Sequence, residues 1–248
     1  MKGELFTLGS GLVVVVLLAG CTLPKVISSK VTSITGSGNV VTQEENITGF
    51  DKVDVSHAFK VDISQGQAFS VVIRIDDNLV QYLEVVKQGG TLKIGLKPGR
   101  SYNTRKITME AEVTMPELSG LELSGASQGA ITGFESSKTL NVDLSGASHL
   151  RGDVEAGDAW FDVSGASQMN LTGSAEDVVI NASGASQVDL SAFPVADAHV
   201  DASGASKATV NPSGQLDVGA SGASQVYYVG SPTLGNIDTS GASSVNRK

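Results

Sequence analysis

Cysteine is almost missing from the 248-residue chain: Cys21 stands alone, with three histidines (His57, His149 and His199) as the remaining soft ligands. A single thiol makes neither an intramolecular disulfide nor a thiolate metal cluster, so a disulfide scaffold is excluded and a zinc site has little to be built from. Cations are scarce as well, with 17 Lys and Arg against 26 Asp and Glu for a formal charge of −9. Without a basic stripe for phosphates, nucleic acid is not a partner and anionic membrane surfaces are poor ones. Aromatic residues make up 5% of the chain while there are 29 glycines. That leaves few large side chains for a thick core and favours a thin core of small residues. The length accommodates one or two domains.

Long hydrophobic runs are absent too, apart from LVVVVLLA at 12–19. This run is shorter than the about 20 residues that a membrane-spanning helix needs. It ends in Leu18-Ala19-Gly20-Cys21, which matches the bacterial lipobox: small residues admit the signal peptidase to the bond before the cysteine, and the thiol takes a diacylglyceryl group. Residues 1–20 are therefore expected to be a lipoprotein signal peptide. Cys21 is expected to carry the lipid that holds the chain outside the cytoplasmic membrane. Thr22 stands where an inner-membrane retention signal would place Asp, which points to the outer membrane in a cell with two membranes. Residues 21–38, rich in Ser, Thr and Lys, read as a flexible tether.

What is present in quantity is a repeat. Ser-Gly-Ala-Ser begins at Ser124, Ser145, Ser164, Ser183, Ser203, Ser221 and Ser240, at spacings of 21, 19, 19, 20, 18 and 19. Self-similarity at this period is the mark of a solenoid whose coils cannot bury an apolar face alone. Three residues before each tetrapeptide stand Leu121, Val142, Phe161, Ile180, Val200, Val218 and Ile237, and one before it Leu123, Leu144, Val163, Ala182, Ala202, Ala220 and Thr239. Strand alternation turns both columns inward. It turns the residues between them outward: Glu122, Asp143, Asp162, Asn181, Asp201, Gly219 and Asp238. Each tetrapeptide then reads as a corner. Gly125, Gly146, Gly165, Gly184, Gly204, Gly222 and Gly241 supply unusual backbone angles there, the alanines fit the crowded inside, and the serines bond to their own backbone or to the next coil.

Nineteen residues trace roughly 60 Å of extended chain, enough for two or three strands and their corners. The fold class that follows is all-β, a right-handed parallel β-helix with coils of about 19 residues. Leucine-rich, hexapeptide and calcium-roll repeats lack their required patterns here. Residues 39–248 are expected to form one domain, with irregular coils over 39–120 closing the N-terminal end and the regular coils over 121–248. Alternating segments at 51–55, 59–63, 69–75, 91–96 and 106–113 supply the strands of the first part, and Asp77-Asn78 starts a short helical piece.

The order GSGNVV (36–41), GFDKVDV (49–55), VVIRIDDNLVQYLEVVKQGGTLKIGLK (71–97) and ITMEAEVTMPELSGLELSGAS (107–127), followed by serial SGAS coils, resembles the bacterial head GIN domain family of auto-transporter adhesin-like proteins. The resemblance covers nearly all of the chain after Cys21. It implies a right-handed parallel β-helix in an envelope protein, often lipidated, and it carries no catalytic residues onto this sequence. An auto-transporter would also need a translocating barrel, whereas this sequence reaches Lys248 directly after the last coil, so adhesion is implied by analogy.

Three motifs invite chemistry and have plainer readings. Arg151-Gly152-Asp153 spells an integrin tripeptide but is expected in a solvated turn between coils. His149, with Asp143 and Ser148 near it in sequence, suggests a nucleophilic triad. Yet His149 occupies a column otherwise held by Gln128, Gln168, Gln187, Lys207, Gln225 and Ser244, so it reads as a surface variant. The outward carboxylates are the feature under physical tension. At a coil spacing of about 4.8 Å, neighbours repel by roughly 1 kcal/mol even in water. Glu122, Asp143 and Asp162 are accordingly a candidate ladder for a divalent cation such as Ca²⁺ or for glycan hydroxyls, set against a screened, solvated face. The reading that follows is a non-catalytic, lipid-anchored envelope protein presenting a rigid β-helix to a cell-surface glycan or protein. The alternative is a carbohydrate-binding or polysaccharide-degrading β-helix. Ice binding lacks its paired threonine rows.

Overall fold

The computed structural model describes residues 33–248, and 21 strands account for most of them. In the first part these are β1 (Val40–Glu44), β2 (Lys52–Val55), β3 (Lys60–Gln65), β4 (Ser70–Asp76), β5 (Leu83–Gln88), β6 (Thr91–Leu96) and β7 (Met109–Met115). The repeats then supply β8 (Gly120–Leu123), β9 (Gln128–Glu135), β10 (Leu140–Leu144), β11 (His149–Glu155), β12 (Ala159–Val163), β13 (Gln168–Ser174) and β14 (Asp177–Ala182). They end with β15 (Gln187–Val195), β16 (Asp197–Ala202), β17 (Lys207–Pro212), β18 (Gln215–Ala220), β19 (Gln225–Tyr228), β20 (Thr233–Thr239) and β21 (Ser244–Arg247).

Each repeat contributes one strand to each of two sheets. The even-numbered strands from β8 to β20 stack in parallel in a ten-stranded sheet, and the odd-numbered ones from β9 to β21 in an eleven-stranded sheet. The fold is thus a β-solenoid of two sheets per coil. The inward columns pair coil on coil, Leu121 with Val142, Val142 with Phe161 and Phe161 with Ile180, each at most 2% exposed. Period-two alternation sends these β-branched and aromatic side chains to the space between the sheets. The core is thin: Phe59, Phe161 and Phe193 are its largest fully buried side chains, and the last two meet edge to face at 6.2 Å.

SGAS is the corner between the sheets, and its seven glycines lie at φ between +63° and +72°. The passage through this left-handed step keeps the parity of the strands: counted by twos from inward Leu123, Ser127 falls inside and Ala126 outside. The alanine therefore faces out (Ala126, Ala147 and Ala166 are exposed), contrary to the inside position expected for it, and the second serine turns in. Ser127, Ser148 and Ser167 are fully buried. Their hydroxyls are accommodated by backbone groups: Ser127 Oγ donates to the Ser124 carbonyl (2.7 Å), Ser148 Oγ to that of Ser145 (2.9 Å), and Ser206 Oγ to Ala182 in the coil before (3.1 Å). Between coils, Ala166 N–H donates to the Gly146 carbonyl (2.8 Å) and Ala185 N–H to that of Gly165 (2.7 Å), so the corners form a ladder of their own.

The first part departs from the irregular coils expected over 39–120. Two regular coils are present, β2–β3 and β6–β7, but in an order the chain does not follow. β2 pairs in parallel with both β6 and β8, and β3 with both β7 and β9, so the earlier coil sits between the later one and the repeats. Antiparallel strands β1 and β4 extend the larger sheet beyond β7, and β5 extends the smaller one beyond β6. The corner of β2–β3 is Ser56-His57-Ala58-Phe59, with His57 and Ala58 at φ +63° and +62°. It is an SGAS corner in altered letters, with Phe59 in the place of the buried serine. The tether expected over 21–38 is also shorter at its end. Ile34 bridges to Tyr102, and the Gly38 N–H donates to Asp76 (2.7 Å).

Candidate functional site

The outward residues of the ten-stranded sheet form straight rows because its register carries through every coil. One row runs Lys93, Asp54, Glu122, Asp143, Asp162, Asn181, Asp201, Gly219 and Asp238. Glu122, Asp143 and Asp162 are consecutive in it. Asp54 and Lys93 belong to the same row; they lie outside the SGAS repeats, and only the DKVDV alternation hinted at the first. Lys93 Nζ lies 2.7 Å from Asp54 Oδ2 and ends the run of carboxylates with an ion pair. The Asp54 carboxylate holds the Lys93 ammonium above its ordinary range.

The neighbouring row carries Lys52, Gly120, Asn141, Trp160, Val179 and His199. Trp160 is 52% exposed, which is unusual for the chain's one tryptophan in a core-poor fold. A groove of about 350 Å³ runs between the rows, edged by Lys52, Asp54, Glu122, Asn141, Asp143 and Trp160. At Gly120 the Lys52 stem lies across the row, so close that a Cβ there would be 3.1 Å from its Cγ. A carboxylate row beside an indole face can accept hydroxyl hydrogens on one side and stack an apolar ring face on the other.

Partial desolvation, then the Asp54 and Asp143 carboxylates, push the Glu122 carboxyl up. Partial desolvation and then Asp162 do the same to Asp143. A carboxyl whose folded pKa lies above its unfolded value binds protons more tightly when folded, so its stability contribution falls as pH rises through the folded value. Asp143→Asn should therefore raise the stability at pH 7, by less than about 1 kcal/mol because the site is exposed, and with it the melting temperature. The difference should close below about pH 3, where both carboxyls are protonated in either state. A variant less stable than the parent at pH 7 would contradict the repulsion.

Among the described residues, no three His, Cys, Asp or Glu side chains gather closely enough to hold a metal ion. The ladder runs parallel along a sheet face and does not converge, which suits an extended ligand better than a point cation. The triad is not assembled either. His149 lies in register with Gln128 and Gln168 on the outer face of the eleven-stranded sheet, Asp143 is on the outer face of the other sheet, and Ser148 is buried in the corner. Arg151-Gly152-Asp153 is within β11 and not in a turn. Gly152 packs on Ile131 so closely that a Cβ would lie 2.3 Å from its carbonyl oxygen, and Thr172 donates to Asp153 (3.2 Å). Cys21 lies outside the described residues.

The family model described as "Putative auto-transporter adhesin, head GIN domain" matches residues 49–232. Among solved structures, the chain is similar to a "putative adhesin" from Bacteroides fragilis NCTC 9343, with a TM-score of 0.77 and 18% identity over 87% of this chain and 100% of that one. It is also similar to a "Putative lipid binding protein" from Parabacteroides distasonis ATCC 8503, with a TM-score of 0.71 and 20% identity over 88% of this chain and 100% of that one. A "putative adhesin" from Parabacteroides merdae ATCC 43184 follows at a TM-score of 0.63 and 16% identity, over 87% and 99%. At such identities the likeness speaks for the fold. No curated protein matches the chain.

Proposed function

The chain belongs to the head GIN domain family, and from that premise we propose that it is a non-catalytic adhesin of the cell envelope, held by a lipid on Cys21 and binding glycan in the groove of the ten-stranded sheet. The observation that carries this reading is Trp160, half exposed in the middle of a polar groove, flanked along the row by Asn141 and across it by Asp143 and Asp162. An exposed indole costs solvation unless a ligand covers it, and a sugar offers both the apolar face that stacks on it and the hydroxyls that donate to carboxylates. The neighbouring coils keep these groups at fixed spacing, so little ordering is needed on binding. The lipobox ending at Cys21 supports the anchoring, and a diacyl group supplies the two chains that stable attachment takes.

A glycan array probed with the full chain in neutral detergent tests the reading. A glycan that binds should lose about tenfold or more in affinity to Trp160→Ala, about 1.4 kcal/mol of lost stacking and desolvation. Cys21→Ser should leave the membrane fraction. Retained binding in the first variant would refute the groove, and retained membrane attachment in the second would refute the anchor.

A further inference from the structure

The outer face of the eleven-stranded sheet carries a second groove, of about 640 Å³, on the side of the solenoid away from Trp160. Its charge is the reverse of the rest of the protein. Five cations follow residue 120 in the sequence, and three of them, Arg151, Lys207 and Lys248, line this groove together with Lys60 from β3. Of the fourteen carboxylates in the same stretch only Asp189 lines it, and Asp62 is the one other acid at its edge. Both are engaged: Asp62 lies 3.9 Å from the Lys60 ammonium, and Asp189 accepts the Ser191 N–H at 3.0 Å. Asp153, the next outward carboxylate along β11, is bonded by Thr172. A local excess of two positive charges stands in a chain of formal charge −9.

We infer that this groove binds an extended anionic polysaccharide whose carboxylates are spaced by uncharged sugars, a uronic acid polymer. Charge complementarity sets the sign of the occupant, and the spacing of the groups sets its kind. Arg151 is on β11 and Lys207 on β17, three coils apart or roughly 14 Å. The coils between them present amides, Gln168, Gln187 and Asn170, which donate to and accept from hydroxyls. A polymer with a charge on every unit, such as nucleic acid, would leave most of its phosphates facing amides. One with intermittent carboxylates matches cation and amide alike. Arg151 is suited to a carboxylate because its fork donates to both oxygens at once. The Lys207 ammonium lies over the Tyr227 ring, 5.1 Å from its centroid, which holds the charge at the groove.

The test uses the full chain in neutral detergent, titrated calorimetrically with hyaluronan oligosaccharides, in which glucuronate alternates with an uncharged amino sugar, with their fully methyl-esterified form, and with duplex DNA of equal charge. Binding should be seen with the hyaluronan oligosaccharides, weaken with added salt, and be lost on esterification. Arg151→Gln with Lys207→Gln should lower the affinity at least about tenfold, as expected for removing hydrogen bonds to a charged group. Both side chains are exposed, and an unchanged melting temperature confirms the fold. Trp160→Ala, on the other sheet, should bind the hyaluronan oligosaccharides as the parent does, so this result and that of the indole groove are read separately. No binding by the parent, equal binding of the ester, equal binding of the DNA, or an unaffected double variant would each overturn the inference.

Discussion

Gly165→Val should lower the stability of the solenoid by more than about 4 kcal/mol, seen as a shift of the urea midpoint. Two costs add at this position. Gly165 sits at φ +70°, where an L-residue loses about 1–2 kcal/mol and a β-branched one more. In addition, a Cβ there would lie 2.3 Å from the Gly146 carbonyl oxygen and 3.1 Å from its nitrogen. That carbonyl cannot withdraw, because it accepts the Ala166 N–H at 2.8 Å in the corner ladder. Gly125 supplies the control. Its φ is +63°, yet the nearest atom to its Cβ would be the His57 nitrogen at 3.2 Å. Gly125→Ala should thus cost mainly the backbone conformation, about 1–2 kcal/mol, and Gly165→Ala at least twice as much. Equal midpoints for the two alanine variants would show that contact between corners is not what holds the coils at their spacing. Because each coil touches only its neighbours, a break at the middle of the stack also uncouples the two halves.

Asp76→Ala should cost about 3–5 kcal/mol and release the chain before β1. The carboxylate is 2% exposed, and its two oxygens accept the Gly38 N–H (2.7 Å) and the Thr108 N–H (2.7 Å). Charge-assisted bonds of this length contribute about 1.5–3 kcal/mol each, and removing the acceptor leaves two amides unsatisfied. Gly36 is folded against the same carboxylate, with a Cβ position 2.5 Å from Oδ2. The site therefore clamps the segment leading from Cys21 onto the end of the solenoid. Limited proteolysis reads the release, as new cleavage between residues 33 and 39, and hydrogen exchange reads it at the Gly38 and Thr108 amides. Cleavage no faster than in the parent would mean that the Ile34 bridge to Tyr102 and the Asn78 bonds to Thr35 and Ser37 suffice without the carboxylate. Asp76→Asn keeps the shape but turns one acceptor into a donor, and should fall between the two.

The clamp and the corners show different degrees of legibility. Nothing around Asp76 marks it in the sequence, since its partners are backbone amides 38 and 32 residues away. The corners are marked seven times over, yet placing the alanine inside for its small size inverts Ala and Ser, where counting by twos from Leu123 puts Ala126 outside and Ser127 in. The β2–β3 corner went unseen because His57 and Phe59 replace the letters while the backbone keeps the angles.

Taken alone, the sequence determines the coil length, the inward columns, the corner position and the outward acidic row, because all of these are local periodicities repeated at 18 to 21 residues. The tertiary structure decided what depends on which strands become neighbours. It placed the β2–β3 coil between β6–β7 and β8–β9, joined Asp54 and Lys93 to the ladder, and put Trp160 beside it. It also gathered Lys60, Arg151 and Lys207 into one groove of a chain too acidic overall to suggest it. The physical reason is that alternation tells which side of a strand a residue faces. Which rows meet is chosen by interstrand hydrogen bonds, whose partners lie a full coil or more away and leave no mark on the local pattern.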